Sequence, residues 1–278
     1  MWSAKKTPAE VAAEKVNALC EHAYAGSLVA TKVAVTAETD ANQTATAGIC
    51  KGLTPLCSAA KGNTDTDEVV KYLLDHRTKI VPAKTGKLVF HTEVNMMADG
   101  RAPLHYAAAA GNAKIVKMLL EQNADVDLLA TGPATAAHKG KTPLFLAVTN
   151  TQINVSKLAI DEREELKKHG NVVKILLAHN ADVKSTFDFK IGLEKRKEDW
   201  TVLHEAVEKL DHDMVKAILS SVDGKGLLAA TAKITGSVQE NVFSFRTPYD
   251  VALHKATNAK DEKQKQLADK IEQTLKEG

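Results

Sequence analysis

Aromatic residues are scarce in this 278-residue chain, which holds six Phe, four Tyr and two Trp, 4% of its length. Large aromatic side chains dominate ordinary globular cores. Here alanine takes that place, with 41 residues, about a third of all the apolar ones. The scarcity argues against an aromatic-filled globule and favours thin layers of helices packed closely through alanine. The cysteines, Cys20, Cys50 and Cys57, are three in number and confined to the first quarter, which suits a reducing compartment better than a disulfide framework. Neither charge sign is in excess, since 37 Lys and Arg face 35 Asp and Glu. No bulk field therefore draws the chain to nucleic acid or an anionic membrane. Long apolar runs are missing too, which excludes a transmembrane helix. The opening segment, Met1 to Pro8, lacks the apolar stretch of a cleaved signal peptide. A soluble, cytoplasmic protein is expected.

Chemical motifs are equally sparse. There is no C-x-x-C, no H-E-x-x-H, no zinc-spaced Cys/His set, no phosphate-cradling glycine loop and no G-x-S-x-G elbow. No metal, cofactor or catalytic residue is expected. A nucleophile built from Cys20 or Cys57 with His22 or His105 lacks any marked base or orienting third group. Cys20 and Cys57 share a register position in adjacent repeats, roughly 10 Å apart if each helix layer is one diameter thick, beyond disulfide reach. They read as small packed hydrophobes.

What the sequence does hold is an internal repeat. From Asp99 to Asp127 it reads DGRAPLHYAAAAGNAKIVKMLLEQNADVD. The pattern returns as Gly52-Leu53-Thr54-Pro55-Leu56 with Glu68-Val69-Val70-Lys71-Tyr72-Leu73-Leu74, and again from Gly140-Lys141-Thr142-Pro143-Leu144 with Asn171 to Leu177. A third recurrence is Asp199-Trp200-Thr201-Val202-Leu203-His204 with Met214 to Leu219. Arg246-Thr247-Pro248 opens a last unit whose second helix would carry Leu267, Ile271 and Leu275, and Leu19 to Val33 reads as a degenerate first unit.

This unit resembles the ankyrin repeat, whose pattern is a D-G turn, T-P-L-H-x-A opening a first helix, a Gly turn, V-V-K-x-L-L and G-A-D-V-N. The resemblance implies an all-α solenoid of about six helix–turn–helix units with extended β-hairpin fingers. It implies one domain over residues 1–278, with approximate repeats 14–50, 51–98, 99–138, 139–197, 198–243 and 244–278, the first and last acting as caps. Thr54, Thr142, Thr201 and Thr247 stand where a hydroxyl caps the first helix, and Pro at the next position has no N–H to leave unsatisfied. His105 and His204 occupy the position from which family members bond neighbouring backbone.

Aligned on the Thr position, the units begin at 17, 54, 102, 142, 201 and 247. An uninterrupted array would space them by about 33. The excess in 81–98, 129–139, 184–197 and 223–245 is expected to lengthen the fingers, and most of the phenylalanines (Phe90, Phe187, Phe189, Phe243 and Phe245) cluster there, either to bind or to stiffen the hairpins. A further insertion, Thr151 to His169, is expected to form a helical excursion between the two helices of the fourth unit.

Such a solenoid is expected to bind a partner protein, as a monomer, through the concave surface of finger tips and first helices. The register names Lys51, Leu53, Lys61, Arg101, Ala109, Ala110, Lys141, Thr149, Asn150, Trp200, Glu208 and Lys209 as that surface. Trp200 is expected to be exposed there, as its finger position is in most of the family, and to act as a hot spot whose loss leaves stability unchanged. No nucleic acid and no membrane insertion are expected. The Glu- and Lys-rich C-terminal tail resembles the uncleaved signals of effectors that intracellular bacteria inject. A host protein bound by the same surface is thus one alternative, and an enzyme with a site hidden in the insertions is another.

Overall fold

Twelve α-helices order the described residues of the computed structural model, which are 6–35, 39, 41–62, 66–75, 92–132, 138–149, 160–191, 195–235 and 247–277. They are α1 (Pro8–Tyr24), α2 (Leu28–Ala34), α3 (Pro55–Lys61), α4 (Asp67–Asp75), α5 (Pro103–Ala109), α6 (Ala113–Glu121), α7 (Pro143–Thr149), α8 (Ile160–Ala178), α9 (Val202–Glu208), α10 (His212–Leu219), α11 (Pro248–Thr257) and α12 (Glu262–Glu277). Seven-residue helices such as α3, α5, α7 and α9 are too short to persist alone in water. Packing and caps hold them. Thr54, Thr142, Thr201 and Thr247 accept the backbone N–H of Cys57, Phe145, His204 and Asp250 at 3.2, 3.2, 3.3 and 3.2 Å. Such caps contribute about 1 kcal/mol each.

The helices stack in two layers. Each odd-numbered helix packs on the next odd-numbered one, and each even-numbered helix on the next even-numbered one, so the chain is an all-α solenoid built by stacking. Between the layers runs one continuous apolar cluster, from Val16 to Leu275. Ala59, Ala60, Ala107, Ala108, Ala147, Ala206 and Ala252 are fully buried in it, which is where the alanine excess goes. Gly111 shows why the turn between α5 and α6 needs glycine. Its φ is +70°, and a Cβ there would lie 3.0 Å from the ring of His169.

Finger turns project beside the first helix of each unit. Residues 45–53 close through Gly52 N–H to Ala45 O at 2.7 Å and Ala45 N–H to Leu53 O at 2.9 Å. Ala98 and Arg101 exchange bonds across the next turn, and Ala130 pairs with Gly140 and Lys141 across the third. The fourth finger is a true hairpin. Strand β1 (Phe187–Ile191) pairs antiparallel with β2 (Lys195–Trp200), and β2 pairs in turn with β3 (Lys233–Thr235). Of the other finger insertions, residues 81–91, 133–137 and 236–246, with Phe90, Phe243 and Phe245, lie outside the described residues.

One expectation is corrected. The insertion before His169 is no separate excursion, because residues from Ile160 onward continue without a break into the second helix of the fourth unit, giving the 19-residue α8. The run Asp161-Glu162-Arg163-Glu164-Glu165 is followed by lysines and an apolar stretch that share one helical period, so nothing there terminates the helix. Residues 151–159 lie outside the described residues.

Candidate functional site

The first-helix layer and its fingers carry the residues that the register named, and the structure divides them into two unlike groups. Over α3, α5 and α7, Lys51, Lys61 and Ala110 are exposed, while Arg101, Ala109, Lys141 and Thr149 are half-buried. Leu53 is 3% exposed and belongs to the core, so it cannot present itself to a partner. Asn150 lies outside the described residues.

Several of these side chains are fixed in place. The Arg101 guanidinium sits 4.3 Å over the Tyr106 ring and donates to Asp99 Oδ2 at 3.2 Å. The Lys141 ammonium stands 5.2 Å over the Phe145 ring. Burial lowers the Lys141 pKa, with Glu205 opposing and Lys209 adding to the shift. Thr149 donates back to Phe145 O at 3.0 Å.

Behind this strip, histidines lock finger to helix. His105 Nδ1 accepts the Ala102 N–H at 3.1 Å, and its Nε2 lies 3.3 Å from Lys141 O in the next finger. A neutral ring protonated on Nε2 satisfies both contacts. Burial, with weaker opposition from the carbonyls it meets, pushes its pKa down to about 4, so the ring is neutral at pH 7. His204 repeats the first half of the device on Thr201.

The second group surrounds α9 and α11, and here the expectation for Trp200 is overturned. Trp200 is 0% exposed. It ends β2 opposite Phe187, at the base of the hairpin and beside the first residue of α9, so the lengthened finger folds over it. Phe187 packs inward as well, its ring centroid 3.9 Å from that of Phe145. The indole Nε1–H donates to Glu205 Oε2 at 3.0 Å, and Lys197 Nζ lies 3.8 Å over the indole ring and 3.7 Å from the same carboxylate oxygen.

The Lys197 and Glu205 side chains are each 7% exposed, a buried ion pair capped by a tryptophan. Beside it, Lys255 Nζ meets Glu208 Oε1 at 2.9 Å. Burial raises the Glu208 pKa less than Lys197 and Lys255 lower it, so its carboxyl stays below the ordinary range. Burial lowers the Lys197 pKa against the pull of Glu208 and Glu205. Lys209, half-buried, completes the group.

The thiols are packed rather than poised. Cys20, Cys50 and Cys57 are free and buried. Burial pushes Cys20 and Cys57 up to about 12, the opposite of what an activated nucleophile needs. Cys20 Sγ donates to Leu53 O at 3.4 Å and Cys50 Sγ to Cys20 O at 3.4 Å, so the sulfurs help tie the first finger to α1.

Two exposed residues of the face escaped the register. Lys139 projects from the third finger, and Ile49, 70% exposed, from the first. The signal for Lys139 was present in His138-Lys139-Gly140, a turn whose tip must be solvated. Ile49 carried none, because an apolar residue before Cys50 reads as core. Among the described residues no helix is long and apolar enough to cross a membrane.

Comparison with known proteins agrees with this architecture. The family described as ankyrin repeats (3 copies) matches residues 10–130 and 84–169, together more than half of the chain. An ankyrin repeat protein of Fowlpox virus (strain NVSL), FPV115, is 29% identical over 121 residues, 42% of this chain and 21% of that protein. The chain thus spans about a fifth of the length of this relative.

Proposed function

The chain belongs to the ankyrin-repeat family, and from that premise we propose that it is a non-catalytic module that binds a partner protein through the finger turns and first-helix ends. In this reading it works as a monomer in a reducing, cytoplasmic setting, where its three thiols stay free. One observation carries the proposal. Caps and buried histidines hold the same backbone from unit to unit, while the outward side chains on that backbone differ, running Lys51, Lys61, Arg101, Ala110, Lys141 and Thr149. A constant scaffold under a varied strip is what selective recognition by a repeat array requires.

Photo-crosslinking tests the reading. A photoreactive residue replacing Ala110, exposed at the end of α5, is compared with one replacing Lys117, exposed on α6 of the second layer. Capture of one defined protein from Ala110 and not from Lys117 is the expected result. Capture from Lys117 alone would place the binding face on the wrong layer.

A further inference from the structure

The geometry points to an acidic polypeptide segment in extended conformation as the occupant of the strip over α3, α5 and α7. This rests on the face proposed above and adds the chemistry of the partner.

Acidic residues are distributed unevenly between the two layers over α3 to α8. Helices α3, α5 and α7 read PLCSAAK, PLHYAAA and PLFLAVT, without one Asp or Glu. On the second layer acids and bases are mixed, α4 holding Asp67, Glu68 and Asp75 with Lys71, and α6 holding Glu121 with Lys114 and Lys117. Around the acid-free helices stand Lys51 and Lys139 on the fingers and Lys61 at a helix end, all exposed and none in an ion pair among the described residues.

Arg101 and Lys141 join them, already held over Tyr106 and Phe145, so a carboxylate reaching either one meets a side chain that has little freedom left to lose. The Asp99 carboxylate, bonded to Arg101, is the one acidic side chain of the turns at 99–101 and 138–141. Farther along the layer the charges are matched internally, Lys197 by Glu205 and Lys255 by Glu208. Lys51, Lys61 and Lys139 therefore stand over α3 to α7 with no carboxylate bound to them among the described residues.

Shape and composition select a polypeptide over a nucleic acid. Ala109 and Ala110 at the end of α5 and Thr149 at the end of α7 are small and half-buried or exposed, so a backbone has room to lie close to them. The large rings of this layer, Tyr106, Phe145 and Trp200, are buried, so bases would find no stacking platform. An extended segment with acidic side chains could reach Lys51, Arg101, Lys139 and Lys141 in succession, because these lie on stacked fingers.

The test uses the full chain and a fluorescein-labelled peptide alternating Asp and Ser, with Asn/Ser and Lys/Ser peptides and oligothymidylate as comparisons, read by fluorescence anisotropy. Binding of the Asp/Ser peptide that weakens with salt is expected, with little binding of the other three. The triple variant Lys51→Glu/Lys61→Glu/Lys139→Glu should weaken it by about tenfold or more. Its second-layer counterpart Lys71→Glu/Lys117→Glu/Lys174→Glu, with the same change in net charge, should weaken it by less than about twofold. No binding of the acidic peptide, equal or tighter binding of oligothymidylate, or equal sensitivity to the two triple variants would each overturn the proposal. If Ala110 captures a partner through a neutral or basic segment while the acidic peptide fails to bind, the face stands and its acidic preference falls.

Discussion

Over α3, α5 and α7 the first-helix face is a strip of small side chains with exposed lysines. Over α9 and α11 the same face is closed by Trp200 and the Lys197–Glu205 pair. One scaffold and one register thus give two kinds of surface. The difference lies in the finger. Among the described residues the turns at 45–53 and 98–101 carry the exposed Lys51 and the half-buried Arg101, whereas the hairpin of β1 and β2, joined by β3, buries its own base at Trp200. A finger that folds back is one way a position of the repeat becomes core, as at Trp200, and an apolar residue in a short turn is another, as at Leu53.

The largest effect expected from that contrast is at Trp200. Trp200→Ala should lower the unfolding free energy by about 3–5 kcal/mol, because it opens a cavity and orphans the Glu205 bond. Chemical denaturation reads this, and an unchanged midpoint would mean that the tryptophan is surface after all.

Next comes the ion pair. Glu205→Gln should cost about 1–3 kcal/mol, since it removes one of the two carboxylates, Glu205 and Glu208, that hold the buried Lys197 ammonium, while Lys197→Met/Glu205→Gln should return to within about 1 kcal/mol of the parent. Non-recovery in the double variant would show that the charges themselves, and not their pairing, support the C-terminal half.

Acid tests the other half. His105 has a folded pKa of about 4, below its ordinary value of 6.5, so the unfolded chain binds the proton more readily. Its contribution is therefore complete above pH 6.5 and is lost as pH falls toward 4. Between pH 7.5 and pH 5 the loss should be about 2 kcal/mol, and His105→Gln should remove that part of the pH dependence. A parent and variant with the same pH profile would exclude a buried neutral His105 as the link between the α5 end and the third finger. The smallest effect belongs to Lys51→Glu/Lys61→Glu/Lys139→Glu, each site within about 0.5 kcal/mol of the parent in stability, as expected of solvated surface.

Much of this was legible in the sequence. The alanine excess foretold closely packed helix layers, and the caps at Thr54, Thr142, Thr201 and Thr247 followed from their place before each first helix. His105 behaves as its motif implied. Leu53 did not, because it packs into the core from its own turn, and Trp200 did not for another reason. The register marks positions along the unit, while burial also depends on what the next insertion covers, a contact distant in sequence. Lys197 was hidden for the opposite reason, because Lys195-Arg196-Lys197-Glu198-Asp199 reads as a solvated charge run until Glu205 and the indole close around its third member. The freedom of Lys139 likewise depends on where the neighbouring carboxylates go.

Amide hydrogen exchange of the full chain, alone and bound to the protein captured through Ala110, tests the division of the face most directly. The account predicts that added protection falls on residues 48–62, 99–112 and 138–149, with 197–209 unchanged because they are already sealed in the free chain. Added protection centred on 197–209, with the three N-terminal segments unaffected, would contradict it.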